Sequence, residues 1–218
     1  MKALAPITSH IFDKVCKLNC IKDYWLVGGT ALAIQLQHRL SEDLDFMCWK
    51  TIKHQKSEVD WVKIEKELGS IGKIEAREIW DFDHVEFIVS GVKFSFYASA
   101  KYSPITSSIL HKDNLQLADV MSIAAMKMEV LLRRSNFRDY YDIYSILING
   151  YDFKEIIARA TTYSGHLLST KNLLAMLVDS KRFKIDNNFK LLEPKYPILP
   201  ADIEAYLKIQ IKDKLQSV

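Results

Sequence analysis

Glycine is scarce in this chain, and two of the few stand together. Only 7 of 218 residues are glycine, about half the usual share of roughly 7%. Yet Gly28 and Gly29 are adjacent, and they follow the β-type run Tyr24 to Val27. Thr30 to Gln37, rich in Ala, Leu and Gln, reads as a helix. The stretch Leu26-Val27-Gly28-Gly29-Thr30-Ala31-Leu32 therefore predicts a strand that turns directly into a helix. A helix N-terminus leaves its first N–H groups unpaired and carries partial positive charge. Glycine removes the Cβ atoms that would keep a phosphate away from those groups, and Thr30 adds a hydroxyl donor. The same turn also serves as a tight connection with no ligand, and G-G-T alone does not choose between the two.

Fourteen residues after Gly29 comes Asp43-Leu44-Asp45-Phe46. On a strand, residues i and i+2 share a face, so Asp43 and Asp45 aim two carboxylates one way while Leu44 and Phe46 enter the core. Close carboxylates repel, and the pKa of one rises. A hard cation such as Mg²⁺, or Mn²⁺, removes that conflict and is also what a triphosphate needs. A solvated acidic pair at a strand end is the plainer alternative, and Glu42 beside it favours that alternative.

A second constellation lies in the C-terminal half. Val120, Ile123, Ala124, Lys127, Val130 and Leu131 follow helical spacing, which puts Lys127 in or beside the apolar stripe. A buried ammonium is costly unless paired. It either snorkels to solvent or meets phosphates or carboxylates. After it come Arg138, Asp139 and Asp142, the two acids sharing a helix face and Arg138 standing four residues before Asp142.

The remaining chain reads as α+β. Ile7, Ile11, Phe12, Val15 and Leu18 predict an amphipathic first helix, Leu44 to Trp49 a strand, and Trp61 to Leu68 a helix. His84 to Val89 and Val92 to Tyr97 flank a Ser90-Gly91 hairpin turn. Leu117 to Arg134, Asp139 to Ile148, Phe153 to Ala160, Leu167 to Asp179 and Ala201 to Leu215 predict helices. Strands are expected before residue 100 and helices after it. The composition is 49% hydrophobic with a net charge of +3, which excludes a chain dominated by disorder. The mild basic excess permits contact with nucleic acid without arguing for it. The fourteen-residue uncharged stretch Tyr24 to Gln37 is too short to span a bilayer, so no membrane partner is expected. Met1 to Lys14 has no signal-peptide core. Cys16, Cys20 and Cys48 make an odd count with no matching pair for zinc, and a reducing, cytoplasmic location fits. His84, His111 and His166 have no ligand partners at useful spacing and are read as structural.

A turn for phosphate, one short helix and then a D-x-D strand is the active-site order of polymerase-β-like nucleotidyltransferases. The strings Tyr24 to Ala33 and His38-Arg39-Leu40-Ser41-Glu42-Asp43-Leu44-Asp45-Phe46 closely resemble the AbiEii/AbiGii toxin branch of that superfamily, whose pattern is G-G-T-A-L followed by H-R-x-S-x-D-L-D-F. Lys127, Arg138, Asp139 and Asp142 match a later K…R-D-x-x-D segment of the same family. The resemblance covers roughly residues 20–148. It implies a mixed nucleotidyltransferase sheet in an α/β core over 1–115, and a helical region over 116–218 that completes the cleft. It also implies Mg²⁺-dependent transfer of a nucleoside monophosphate (NMP) from a nucleoside triphosphate (NTP) to an acceptor, with tRNA or another RNA, or a protein, as candidates. A toxin role with a separate antitoxin protein follows. Gly28, Gly29, Thr30, Arg39, Ser41 and Lys127 would bind nucleotide. Asp43 and Asp45 would hold the metal, and Asp142 would act as base or orient the nucleophile. Arg39 alternatively orients a carboxylate. Arg133-Arg134 and Lys181-Arg182-Phe183-Lys184 are candidate RNA contacts, or solvated helix ends.

One departure stands out. Many members of the superfamily carry a third metal-site carboxylate just past a hairpin turn, and here that position is Ser95 on Val92-Lys93-Phe94-Ser95-Phe96-Tyr97. Glu86 across the hairpin or Asp142 compensates, or metal binding weakens. The alternative is a module that keeps the fold and binds nucleotide, RNA or a partner protein without catalysis. A D-x-D glycosyltransferase is a further rival, but it needs a larger nucleotide-sugar domain.

Overall fold

The computed structural model describes residues 3–49, 58–100, 107–165, 167–183 and 187–215. They form two compact units, Met1–Ile34 with Leu40–Asp119, and Gln35–Arg39 with Val120–Val218.

The first unit holds one seven-stranded mixed sheet. Its elements are α1 (Pro6–Val15), β1 (Trp25–Val27), α2 (Gly28–Leu36, whose last residues group with the second unit), β2 (Leu44–Trp49), α3 (Trp61–Ile71), β3 (Ile74–Asp81), β4 (His84–Val89), β5 (Val92–Ser99), β6 (Ser108–Lys112) and β7 (Leu115–Ala118). The strand order is β3-β4-β5-β2-β1-β7-β6. β2 runs parallel to β5, and β1 parallel to β7; the other neighbours are antiparallel.

Strict alternation gives the sheet two unlike faces. Leu44 and Phe46 pair with Phe94 and Phe96, which pair in turn with Phe87 and Val85, and all are buried. Phe46 and Phe96 stack with centroids 5.1 Å apart. This is the core face, and Ile64 and Leu68 of α3 are buried. The opposite face carries Asp45, Lys93, Ser95, Tyr97, His84 and Glu86. The Ser90-Gly91 turn is as expected: φ is +48° at Ser90 and +79° at Gly91, the pair of positive values a tight hairpin needs.

The second unit comprises α4 (Val120–Val130), α5 (Phe137–Ile148), α6 (Phe153–Tyr163), α7 (Thr170–Leu177) and α8 (Pro200–Leu215). Asp152 caps α6 by accepting the Glu155 N–H at 2.8 Å, and Ser169 caps α7 by accepting that of Asn172 at 3.2 Å.

Three strands differ from the sequence reading. β3, β6 and β7 were not anticipated, and the helix expected from Leu117 starts at Val120. Leu26 of β1 pairs with Leu117, a long-range partner that overrides local helical periodicity. A division at 115/116 consequently falls at the start of β7, and the compact units divide after Asp119. The helix expected to reach Arg134 ends at Val130. Ile7, expected on the buried stripe of α1, is 49% exposed.

Candidate active site

Gly28 opens α2 directly after β1, with φ at +69°. That left-handed value is strained for any residue with a side chain. The position is also crowded, because a Cβ there would lie 2.8 Å from Asp45 Oδ2. Gly28 is therefore required twice, once by its backbone and once by the carboxylate that closes on it. Asp43 and Asp45, at the start of β2, are both half-buried.

Thr30 has a different task from the one expected. It is 1% exposed, and its hydroxyl contacts Ser41 Oγ at 2.8 Å and the Asp43 carbonyl oxygen. Ser41 is buried as well, its backbone bonded on both sides to Ala3 and Ala5. Thr30 and Ser41 thus fix the approach of the chain to Asp43 and do not offer hydroxyls to a phosphate.

Ser95 stands in register with Asp45 on one side and Glu86 on the other. Cross-strand partners share a face, so the row Asp45–Ser95–Glu86 runs across three strands. Glu86 cannot supply the missing third carboxylate as it stands. Its Oε1 lies 2.7 Å from Lys93 Nζ, 3.3 Å from Ser95 Oγ and 3.4 Å from His84 Nε2. Burial would raise its pKa, but Lys93 and these donors hold it below the usual carboxylate range. Lys93, conversely, is raised: burial opposes its charge, but Glu86 and the nearby Asp43 outweigh it. Tyr97 is pushed up by burial and then by the Asp45 charge.

Among the described residues no three His, Cys, Asp or Glu side chains form a ready metal group. The donors present are the carboxylates of Asp43 and Asp45, and Asp45 Oδ2 lies beside a cradle that a Cβ at Gly28 would fill. That set fits Mg²⁺, which is commonly held by one or two carboxylates together with substrate phosphates, and not a self-sufficient protein cage.

In the second unit a buried charge cluster surrounds Asp142, which is fully enclosed. Arg39 grips it bidentately, Nε to Oδ1 at 2.8 Å and a terminal guanidinium nitrogen to Oδ2 at 2.9 Å. His38 Nε2 lies 2.8 Å from Oδ1, and Lys127 Nζ 2.8 Å from Oδ2. Lys127 also holds Asp139 Oδ1 at 2.8 Å, and Arg134 completes the set with Asp139 Oδ2 at 2.9 Å. Burial would raise Asp142, but Arg39 and Lys127 drive it far below the carboxylate range. Asp139 is lowered in the same way, with Lys127 and then Arg134 overcoming burial. Lys127 is raised by the two aspartates against burial. Burial is the dominant influence on His38 and keeps it neutral despite Asp142. Its ring stacks on Tyr141 at 5.9 Å, so it is a core histidine and not a capping or surface one.

These bonds bear on three assignments. Arg39 orients a carboxylate, its expected alternative to nucleotide binding, and is 5% exposed. Lys127 is 6% exposed with both neighbouring acids already bound to it, so service to a phosphate requires those bonds to open. Asp142, stripped of proton affinity by its partners, is a poor general base. Arg138 is half-buried on α5. The basic segments are largely spent on structure: Arg134 on Asp139, Arg182 on the Leu131 carbonyl at 2.9 Å, and Arg133 on Glu129 one helical turn away at 2.6 Å. Lys181 is exposed; Lys184 and His166 lie outside the described residues. His111 packs edge-on to Phe12.

The three cysteines are free and buried, and burial raises Cys16 to about 11 and Cys20 to about 12. Among the described residues no helix is long and apolar enough to cross a membrane. Lys93 and Tyr97, which the alternation of β5 already sets on one face with Ser95, and His84, read from the sequence as structural, received no site role there.

A family model described as the nucleotidyl transferase AbiEii toxin of type IV toxin–antitoxin systems matches residues 21–208. An uncharacterized Aquifex aeolicus protein, aq_aa25, is 27% identical over 161 residues, covering 72% of this chain and 73% of that one. MenT4, a nucleotidyltransferase toxin of Mycobacterium tuberculosis, has a similar fold, with a TM-score of 0.65 at 16% identity over 95% of this chain and 82% of that one. JHP933 of Helicobacter pylori gives a TM-score of 0.54 at 18% identity over 96% and 92%.

Proposed function

We propose, starting from the fact that the chain belongs to the AbiEii nucleotidyl transferase toxin family, that it transfers an NMP from an NTP to an acceptor and acts as the toxin of a toxin–antitoxin pair. The observation that carries this reading is the approach of Asp45 Oδ2 to the Cβ-free edge of Gly28. It sets a carboxylate against a glycine turn that opens a helix. Asp43 and Asp45 would hold Mg²⁺ or Mn²⁺. When bound, that ion would offset the charge that develops on the phosphate during transfer. Gly28 and Gly29 would give the triphosphate access to the N–H groups at the start of α2. Thr30 and Ser41 would hold Asp43 in place, and Lys93 would add a cation on the same sheet face. The acceptor oxygen would attack the α-phosphorus, with pyrophosphate leaving. Arg39, Lys127 and Asp142 enter as the held charges of the second unit.

The test is label transfer. The protein is incubated with each α-labelled NTP, Mg²⁺, and either total RNA or total protein. Label on a macromolecule supports transfer and names the acceptor class. NTP binding without label on anything supports the second reading, a non-catalytic module, which the serine in register with Asp45 favours. Growth arrest on expression, relieved by a co-expressed neighbouring gene product, tests the toxin and antitoxin roles.

A further inference from the structure

The polar face of the sheet carries an aromatic feature that the transfer reading does not use. His84 on β4 is in register with Tyr97 on β5. Their rings stack at 4.2 Å with planes 20° apart, and Trp80 of β3 stacks on His84 at 6.1 Å and 13°. The three rings form a ladder across three strands. It shares the face of Asp45 and Ser95, because Tyr97 lies two residues beyond Ser95 on β5. The indole of Trp80 is 63% exposed. Phe82, in the turn just beyond it, is 79% exposed. Glu86 Oε1, beside Ser95, lies 3.4 Å from His84 Nε2.

We propose that Trp80, backed by His84 and Tyr97, is a stacking platform for a nucleobase of a single-stranded RNA acceptor, several nucleotides from the one that receives the NMP. Exposed aromatic rings are what unpaired bases stack on. Position selects the acceptor over the NTP. From β2 to β3 is three strand spacings, about 14 Å, whereas successive stacked nucleotides are about 3.4 Å apart. A base several steps from the reacting end reaches Trp80; the base of an NTP whose phosphates lie at Gly28 and Asp45 does not. Asp81 and Asp83 flank the ladder, so stacking and not phosphate pairing would supply the affinity there.

The proposal rests on the nucleotidyltransferase reading, and binding separates the two. Short single-stranded RNA oligonucleotides, end-labelled with fluorescein, are titrated with the full chain by anisotropy at several salt concentrations. NTP affinity is measured in parallel. Trp80→Ala is expected to weaken oligonucleotide binding about 5- to 150-fold, the equivalent of roughly 1–3 kcal/mol per stacked base. The slope of log affinity against log salt should not change, because no phosphate contact is lost. Trp80→Phe should recover most of the affinity, and NTP affinity should stay unchanged. A melting curve confirms folding, which the exposure of Trp80 favours. Unaltered oligonucleotide affinity in Trp80→Ala overturns the platform, as does a drop in NTP affinity instead or a wild type that binds no oligonucleotide. Trp80-dependent binding with no label transfer by the wild type keeps the platform and overturns catalysis. Label transfer with Trp80-independent binding does the reverse.

Discussion

Replacing Gly28 with alanine isolates the contact on which the site reading depends, provided a matched control is made. Gly28 has φ at +69°, and a new Cβ would stand 2.8 Å from Asp45 Oδ2. Gly150 has φ at +90°, with nothing within 4 Å of the corresponding Cβ. Both alanines incur the left-handed backbone penalty, about 1–2 kcal/mol. Only the first meets a side chain. Restoring ordinary van der Waals separation requires the Asp45 carboxylate to withdraw by roughly half an ångström, and rotation of a short side chain does that with little loss of stability. Catalytic geometry is less forgiving, since about 1 Å of misplacement can cost about a hundredfold in rate. Half of that displacement predicts roughly a tenfold loss. Gly28→Ala and Gly150→Ala should therefore lose similar stability in urea unfolding, while label transfer falls about tenfold in the first and stays within twofold in the second. Equal transfer in both variants would refute the assignment of Asp45 to the reacting centre. A much larger stability loss in Gly28→Ala alone would show that the carboxylate is pinned for folding and not for chemistry.

Asp45→Asn should lower transfer about a thousandfold, roughly 4 kcal/mol at 1.4 per decade; chelation with EDTA should abolish transfer, and excess Mg²⁺ or Mn²⁺ should restore it. Lys127→Met leaves Asp139 and Asp142 short of a buried cation and should cost about 3–5 kcal/mol in urea unfolding; a stable variant that loses only triphosphate binding would return Lys127 to the nucleotide. His38 is depressed below its usual 6.5 by burial, so below that pH the unfolded chain takes up a proton that the native state refuses. Stability should hold above pH 6.5 and fall by about 1 kcal/mol toward pH 5.5, within the limit of about 1.4 kcal/mol per pH unit for one proton. His38→Gln should flatten that window. The contribution of Asp139 and Asp142, both lowered from 3.8, should persist there and disappear only under more acidic conditions.

Sequence carried the residues of the first unit's site further than it carried their tasks. The turn at Gly28-Gly29 and the pair Asp43-Asp45 were visible because period-two alternation and a glycine requirement are local properties. Ser95 was placed on the correct face for the same reason. What stayed hidden depends on long-range pairing. β7 looked helical because its partner, β1, lies ninety residues away in the chain. Thr30 looked like a phosphate donor because nothing in G-G-T reveals that Asp43 will take its hydroxyl. Lys127 and Asp142 were singled out, yet their mutual pairing could not be read from spacing, since Asp142 draws its other partners from residues 38 and 39.

That last point changes how the motif His38-Arg39-Leu40-Ser41-Glu42-Asp43-Leu44-Asp45 is to be understood. Contiguous in sequence, it is divided in space. His38 and Arg39 group with the second unit and spend their polar atoms on Asp142, whereas Ser41, Asp43 and Asp45 group with the first. The motif therefore combines an anchor and a site. The anchor is buried and charge-balanced, and changes to it should be felt mainly as stability. The site is half-exposed and keeps two carboxylates close to a glycine turn, and changes to it should be felt mainly as activity. On this division His38 and Arg39 serve architecture, and Gly28, Asp43 and Asp45 are the residues proposed for transfer.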